Sequence, residues 1–244
     1  MPNKEFSPET VGGKELDKMP SIMVAVPNMG NVRTDLMMRI ISWSRNTKMI
    51  LFTPQNYSPV SVARNLCVGA FLEGGYDYLF FVDADTVPPP DALAKLLVAN
   101  KKIISGVTCN LKLCNDGMLR PAPMVFRYVN EDDREEGLKP VLLEKGIEKV
   151  DAFGMSCCLI HKSIFEGMKQ PYFNEEFVAE EGKKPIGEDI KFCHAVKDLG
   201  KDMWCEFSVH CDHWKTVKIT MPNQMEVSQH DIMGEKVVAP GIQQ

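Results

Sequence analysis

Four short apolar runs, separated by segments of helical periodicity, constrain the fold of this chain more than any other feature. The runs are SIMVAVP, MILFT, YLFFV and KIISGVT, all within residues 21–108. Strands that are apolar on both faces are typical of parallel sheets covered by helices on each side. Strands and helices that alternate in this order form right-handed crossovers. The pattern therefore predicts an α/β fold with a mostly parallel sheet.

The second predicted helix carries the first candidate for a binding role. We expect it to begin at Ser58 and Pro59, an N-cap and first-turn pair, and to end at the glycines at 74 and 75. Arg64 then lies about opposite the apolar face and is free to point into a ligand crevice. That apolar face is predicted to consist of Val62, Leu66 and Ala70 with Ala63, Cys67 and Phe71.

Beyond residue 110 the alternation breaks. The segments PMVFRYV, VLLEKG and DAFGMSCCLI predict strands of a mixed region, and SIFEGM a short helix. GEDIKFCHAVKDLG predicts a helix with acids in its first turn, and MWCEFSVHCDHW predicts the last strands of the core. We expect a polar arm over residues 1–20, one domain over 21–220, and a C-terminal tail or lid over 221–244.

Charge and hydropathy exclude several classes of protein. Lys and Arg number 28 against 33 Asp and Glu, a net charge of −5, so no general positive field draws the chain to nucleic acid or anionic membranes. No apolar run is long enough to span a bilayer, and the first residues carry no apolar signal segment. We therefore expect a cytoplasmic protein whose eight cysteines are reduced thiols rather than disulfides.

Two carboxylates follow the third apolar run. Asp83 and Asp85 stand at alternate positions, which on an extended backbone puts both side chains on the same side. Two such carboxylates repel each other, and a divalent cation removes that penalty while bridging to phosphate oxygens. The alternative is an acidic turn before the prolines at 88–90.

The segment YLFFVDADTVPPPDALAKLL resembles the DxD segment of GT-A glycosyltransferases, especially family-2-like enzymes and their viral and bacteriophage relatives. Four further stretches resemble that family in the same order, namely VAVPNMG, SPVSVARNLCVGAFLEGG, DAFGMSCCLIHKSIFEGM and GEDIKFCHAVKDLG. The resemblance implies a three-layer, Rossmann-like GT-A domain with a donor half over about residues 21–110 and an acceptor half over about 111–220. It also implies transfer of a sugar, such as a hexose, from a nucleotide-diphosphate sugar to an acceptor hydroxyl, with Mn²⁺ or Mg²⁺ as cofactor.

The resemblance implies a metal site at the DxD segment. Asp85 would bind the metal directly, and Asp83 would contact the ribose or reach the metal through water. His213, or failing that His210, would be the third protein ligand. One imidazole with carboxylate and phosphate oxygens suits Mn²⁺ or Mg²⁺.

Donor contacts are implied at other strand and helix ends. Pro27 and Asn28 would touch the base and ribose, and Arg64 would neutralise the diphosphate or orient the DxD carboxylates. Gly154 would bring backbone close to the sugar or acceptor. Many relatives carry an acid after the second strand to read uracil, whereas this chain has Thr-Pro-Gln at 53–55, so the base of the donor stays open.

Glu188 and Asp189 open the helix after Gly187, where the helix dipole also stabilises acids. The resemblance implies that one of them, preferably Asp189, is the catalytic base that takes the proton of the acceptor hydroxyl. An inverting enzyme needs that base. In a retaining enzyme the same carboxylate only orients acceptor or sugar hydroxyls.

Several alternatives remain open. One is a zinc site, although the spacing of its candidate ligands along the sequence matches no standard zinc finger. A nucleotidyltransferase is another, for which NMGNVR is a poor match to the usual glycine-rich signature. A non-catalytic, GT-A-like binding module of a phage is the third. The acceptor is a glycan, a protein, a small metabolite or a modified base of phage DNA, and a phage-encoded enzyme would act in the host cytoplasm. The zinc ligands would be Cys205, His210, Cys211 and His213.

Overall fold

The computed structural model describes residues 19–113, 118–130, 137–142, 144–175 and 186–215. The described residues up to Trp214 belong to one compact unit. Almost all of the predicted N-terminal arm and the whole of the predicted C-terminal tail lie outside the described residues. The division into arm, domain and tail therefore stays a prediction.

Strands and helices alternate in the first half of the chain, and strands dominate the second. The strands are β1 Ser21–Ala25, β2 Lys48–Phe52, β3 Tyr78–Val82, β4 Thr86–Val87, β5 Ile103–Val107, β6 Cys109–Leu113, β7 Leu119–Pro123, β8 Val125–Tyr128, β9 Leu138–Pro140, β10 Ile147–Val150, β11 Ala152–Phe153, β12 Cys157–His161, β13 Met203–His210 and β14 Asp212–His213. The helices are α1 Thr34–Ser44, α2 Val60–Glu73, α3 Ala92–Val98 and α4 Glu188–Asp198, with a 3-10 helix at Lys162–Ile164. None of these described helices is long and apolar enough to cross a bilayer.

A seven-stranded sheet in the order β10-β13-β5-β12-β3-β1-β2 forms the centre of the fold. The β1–β2, β1–β3 and β5–β13 pairs are parallel, whereas β12 runs antiparallel to β3 and β5, and β10 to β13. Met23 and Ala25 pack toward α2 and α4, and Ile22 and Val24 toward α1 and α3. The predicted fold class, a three-layer α/β arrangement with a mostly parallel central sheet and a mixed second half, is confirmed.

Three local predictions in the second half need correction. The described residues of VLLEKG form a connection between β9 and β10 rather than a strand. DAFGMSCCLI forms two strands, β11 and β12, interrupted at residues 154–156, and the helix predicted at SIFEGM is the 3-10 turn. Apolar runs this short do not by themselves distinguish a strand from a turn or an irregular connection.

Helix α2 begins later and is rotated relative to the prediction. Its N-cap is Pro59, with no side-chain cap hydrogen bond, so the predicted capping role of Ser58 is wrong. Val62 and Leu66, predicted to lie in the core, are 41% and 40% exposed. Arg64 lies on the buried side of α2 instead of opposite it, where carboxylates in the turn after β3 and on α4 compensate its charge. The buried residues of α2 are Ser61, Ala63, Arg64, Cys67, Val68 and Phe71.

Candidate active site

The carboxyl ends of β1, β3, β5 and β13 meet at one edge of the central sheet. β3 leads directly into Asp83 and Asp85, and β13 is followed by β14, which carries His213. The first turn of α4 carries Glu188 and Asp189. Open α/β sheets bind their ligands beyond the carboxyl ends of the strands. A site built from these side chains is therefore expected at this edge.

Arg64 links two elements at this edge. It extends from α2 and is only 3% exposed. Its Nη2 donates to Asp83 Oδ1 at 2.9 Å, and its Nε donates to Glu188 Oε1 at 3.1 Å. The guanidinium carbon also lies 5.3 Å and 6.0 Å from the ring centroids of Phe81 and Phe173. Charge-assisted hydrogen bonds thus join the end of β3 to the start of α4.

The charge of Arg64 is compensated, but its hydrogen bonding is incomplete. Burial opposes ionisation, and the carboxylates of Asp83, Glu188 and Asp189 outweigh that effect, so the pKa of Arg64 lies above its ordinary value. Its Nη1 is buried and has no partner within the described part of the chain. Buried donors are rarely left unpaired in native proteins. Arg64 Nη1 therefore keeps an unused hydrogen-bond donor.

The DxD carboxylates lie in a turn and not on an extended strand, so the predicted extended backbone, with both side chains on the same side, is wrong. The turn joins β3 to β4 and is closed by a hydrogen bond from Thr86 N to Asp83 O at 2.9 Å. Asp83 accepts from Arg64, whereas Asp85 Oδ2 lies 3.2 Å from Nε2 of His213. The turn directs each carboxylate to a different partner.

Contacts with Cys109 and Asp85 orient the His213 ring. β14 pairs with β4 so that His213 lies opposite Thr86. Its Nδ1 lies 2.7 Å from Cys109 O, and a carbonyl only accepts, so Nδ1 carries a proton. In the neutral ring, Nε2 is then an acceptor that faces the Asp85 carboxylate, which is also an acceptor. A cation between them, or a second proton on the ring, removes this conflict.

The structure brings together part of the predicted metal site. His213 lies beside Asp85, while His210 is exposed at the end of β13. Asp83 forms an ion pair with Arg64. Within the described ranges, no group of three or more His, Cys, Asp and Glu side chains is gathered closely enough to hold a metal ion. The three-residue ligand set therefore stays a prediction, and the alternative zinc ligands form no such group either.

Asp189 has the clearest acid–base character in the site. Burial, followed by the neighbouring charge of Glu188, raises the pKa of Asp189 to about 6. Its Oδ1 accepts from Ile190 N at 2.8 Å. A Cβ atom added to Gly154 would lie 3.7 Å from Asp189 Oδ2, so the turn after β11 passes close to this carboxylate. A carboxylate with such a pKa is suited to accept a proton near neutral pH.

Pro27 and Asn28 lie just after β1, and both are buried. The Asn28 amide donates to Val26 O at 3.1 Å and to Pro54 O at 3.4 Å, and its Oδ1 accepts from Gly30 N at 2.9 Å. The side chain therefore connects the ends of β1 and β2 and shapes the loop between β1 and α1. Contact of these residues with a base or ribose stays a prediction.

Two features of the site were not predicted from the sequence. Phe173 lies in an irregular segment, yet its ring approaches the Arg64 guanidinium and its N–H donates to Asn65 Oδ1 at 3.1 Å. The hydroxyls of Thr108 and Ser156 lie 2.9 Å apart, and the N–H after β3 donates to Ser156 O at 3.3 Å. The Gly-Met-Ser segment at 154–156 was the sequence signal for the second feature, and the first had none.

Among solved structures, the crystal structure of A197 from STIV is similar to this chain, with a TM-score of 0.52 and 21% sequence identity over 80% of this chain and 86% of that one. At this identity the similarity shows a common fold alone. GalNAc-T7, solved with UDP, GalNAc and Mn²⁺, has a TM-score of 0.47 at 9% identity, covering 81% of this chain and 44% of its own. The inositol-1-phosphate CTP transferase from T. maritima has a TM-score of 0.37 at 15% identity, covering 78% and 89%. No protein-family model matches the chain, and no curated protein does either.

Proposed function

We propose that this chain is a metal-dependent glycosyltransferase that moves a sugar from a nucleotide-diphosphate sugar to an acceptor hydroxyl. One observation carries the proposal: Arg64 reaches from α2 to both Asp83 after β3 and Glu188 at the start of α4. The guanidinium puts a positive charge between the carboxylates of the DxD turn and Asp189, the group suited to accept a proton. The resemblance of five ordered segments to GT-A glycosyltransferases supports the same interpretation.

Donor binding is assigned to the ends of β1 and β3. Pro27 and Asn28 would border the nucleoside, and Asp83 would contact the ribose. The buried Nη1 of Arg64 would donate to a diphosphate oxygen. Neutralising the diphosphate in a site with little water stabilises the group that leaves as the sugar is transferred.

Asp85 and His213 have the chemistry to hold a divalent cation such as Mn²⁺ or Mg²⁺. Their facing oxygen and nitrogen lie 3.2 Å apart, and in the neutral ring, with Nδ1 donating to Cys109 O, both are acceptors. A donor set of carboxylate and imidazole suits these ions, Mn²⁺ in particular. When bound, the ion would supply positive charge that stabilises the departing diphosphate.

Asp189 is assigned as the base. The acceptor oxygen forms a bond to the anomeric carbon while the bond from that carbon to the diphosphate oxygen breaks. The hydroxyl proton passes to Asp189, and the bonding electron pair leaves with the nucleoside diphosphate. A pKa of about 6 leaves Asp189 mostly ionised at neutral pH, yet more basic than an ordinary carboxylate. Glu188, held by Arg64, fixes the start of α4.

Thermal denaturation with UDP-, GDP- and CDP-sugars, each with Mn²⁺ and with EDTA, tests donor binding. A ligand that binds the folded state raises the midpoint by mass action, so we expect one nucleotide series to raise it with Mn²⁺ alone. Asp85→Asn should abolish that shift. Asp91→Asn is the matched control, because Asp91 is 50% exposed and pairs with Lys95.

Release of nucleoside diphosphate from the donor that binds then tests turnover. Asp189→Asn should keep the metal-dependent shift but lower turnover by about 100-fold or more, the usual contribution of a general base. Unchanged turnover in this variant would contradict the assignment of the base. Release of pyrophosphate from a nucleoside triphosphate would identify a nucleotidyltransferase instead, and metal-dependent binding without turnover would identify a non-catalytic module.

A further inference from the structure

We propose that Trp214, stacked on Arg33, is a positioning residue that holds His213 against Asp85, an inference that rests on the function proposed above. The guanidinium carbon of Arg33 lies 3.8 Å from the centroid of the Trp214 ring. Arg33 directly precedes α1, and Trp214 directly follows β14. The stack therefore joins the loop after the first strand to the end of the last strand.

The backbones of the same two residues hold the turn that carries Asp85. Arg33 N donates to Ala84 O at 3.3 Å, and Trp214 N donates to Asp85 O at 2.9 Å. The second bond extends the β4–β14 ladder by one step beyond His213. The turn is thus held from two sides by residues whose side chains contact each other.

Strand β14 needs such support because it contains only two residues. Short ladders at the end of a packed region open readily. The Trp214 side chain is 49% exposed, so burial in the core does not hold it in place. Arg33 is itself oriented by Asp35, to which its Nε and Nη2 donate at 3.0 Å. A guanidinium fixed in this way is a preorganised stacking partner for an aromatic ring.

Loss of the stack should loosen the last step of the ladder and allow His213 to move away from Asp85. The expected consequence is weaker metal binding, since groups that orient metal ligands typically change the affinity by about 10- to 100-fold. Folding should be affected little, because the ring is half exposed.

The chain contains a matched control. Lys101 Nζ lies 3.6 Å from the centroid of the Trp204 ring, and Trp204 stands near the start of β13, at the end of that strand opposite His210. Trp204→Ala therefore removes a comparable stack of cation and indole at a distance from the DxD turn.

Binding of Mn²⁺ to the full chain without donor, followed by the paramagnetic resonance signal of free Mn²⁺, tests the proposal. Trp214→Ala and Arg33→Ala should each raise the Kd by about tenfold, and the double variant should bind no more weakly than either single one, because both remove the same contact. Trp214→Phe should retain most of the affinity, and Trp204→Ala should bind like the original chain.

The inference is overturned if Trp214→Ala, shown to be folded by its melting transition, binds Mn²⁺ with unchanged affinity, or if Trp204→Ala weakens binding equally. Asp85→Asn separates this result from failure of the proposed function. If Asp85→Asn binds Mn²⁺ as tightly as the original chain, the metal site itself is wrong, and the role of Trp214 is overturned with it.

Discussion

Arg64 illustrates how distant neighbours decide the role of a single residue. Helical periodicity predicts that Arg64 lies opposite the apolar face of α2. From that position it is predicted to point into the ligand crevice. The structure buries it beside Asp83 and Glu188, which lie 19 and 124 positions away in the chain. A buried charge is tolerated where opposite charges compensate it. No local pattern contains that information.

The pKa of Asp189 leads to a prediction about activity. Because the group is protonated below about pH 6, a base at this position is inactive there, and kcat/KM should rise with pH through about 6 and then level off. The pH profile of kcat/KM with the donor identified by thermal denaturation measures this. An acidic limb near pH 4, the ordinary carboxyl range, would contradict the assignment.

The raised pKa of Asp189 also predicts an effect on the stability of the folded protein, and this effect serves as a control for the assignment of the base. The folded pKa is raised above the ordinary value of 3.8, so ionised Asp189 lowers the stability of the folded state at pH values above about 6. Below the ordinary value both states are protonated and this cost is absent. Asp189→Asn should therefore raise the melting temperature by about 2–4 °C at pH 7.5 and leave it nearly unchanged at pH 3.5, while turnover is lost.

At the scale of elements, α2 shows which part of a helix prediction is dependable. The existence of the helix and its end near Gly74 follow from local pattern and are confirmed. Which residues face the core was predicted only in part: Ala63, Cys67 and Phe71 are buried, whereas Val62 and Leu66 are exposed. The apolar residues of α2 surround much of the helix, so periodicity alone does not select one face.

Two glycines in different elements should respond oppositely to alanine. A Cβ added to Gly69, within α2, meets nothing within 4 Å, whereas one added to Gly106, within β5, lies 2.5 Å from Val209 Cγ1 and 3.0 Å from Val209 O. Gly69→Ala should stabilise the protein by about 0.5–1 kcal/mol through helix propensity. Gly106→Ala should destabilise it by about 1–3 kcal/mol, because β13 must move.

Urea denaturation monitored by circular dichroism measures both changes in the free energy of unfolding. If Gly106→Ala proves neutral, the close packing of β5 against β13 at this point is wrong. If Gly69→Ala is destabilising, the open space beside α2 is not as described.

At the scale of the whole molecule, cysteine chemistry gives a further prediction. The seven described cysteines carry free thiols, and five of them are buried. Burial raises the pKa of Cys67 to about 12 and raises that of Cys158, Cys193 and Cys205 well above the ordinary value. Thiolates react and thiols do not. Most thiols of the native protein should therefore react slowly with a thiol reagent at pH 8.

Titration in urea without reductant completes this test. All eight cysteines should react once the chain is unfolded, and a reductant should leave the melting temperature of the native protein unchanged. Fewer than eight reactive thiols in urea would reveal a disulfide and contradict the expectation of reduced cysteines.

The sequence by itself determined the alternation of strands and helices, the mostly parallel sheet and the acids that open α4. These follow from hydrophobic periodicity and from end signals, which are properties of neighbouring residues. It also placed Asp83 and Asp85 at the end of a buried strand.

Only the tertiary structure decided the strand order, in which β12 lies between β3 and β5, and the atoms through which the charged groups meet. Asp83 meets Arg64, and Asp85 meets His213, 128 positions away. Such pairs depend on the distance and burial that the packed sheet and helices create. The favourable interaction in each pair therefore forms only once the whole chain has folded.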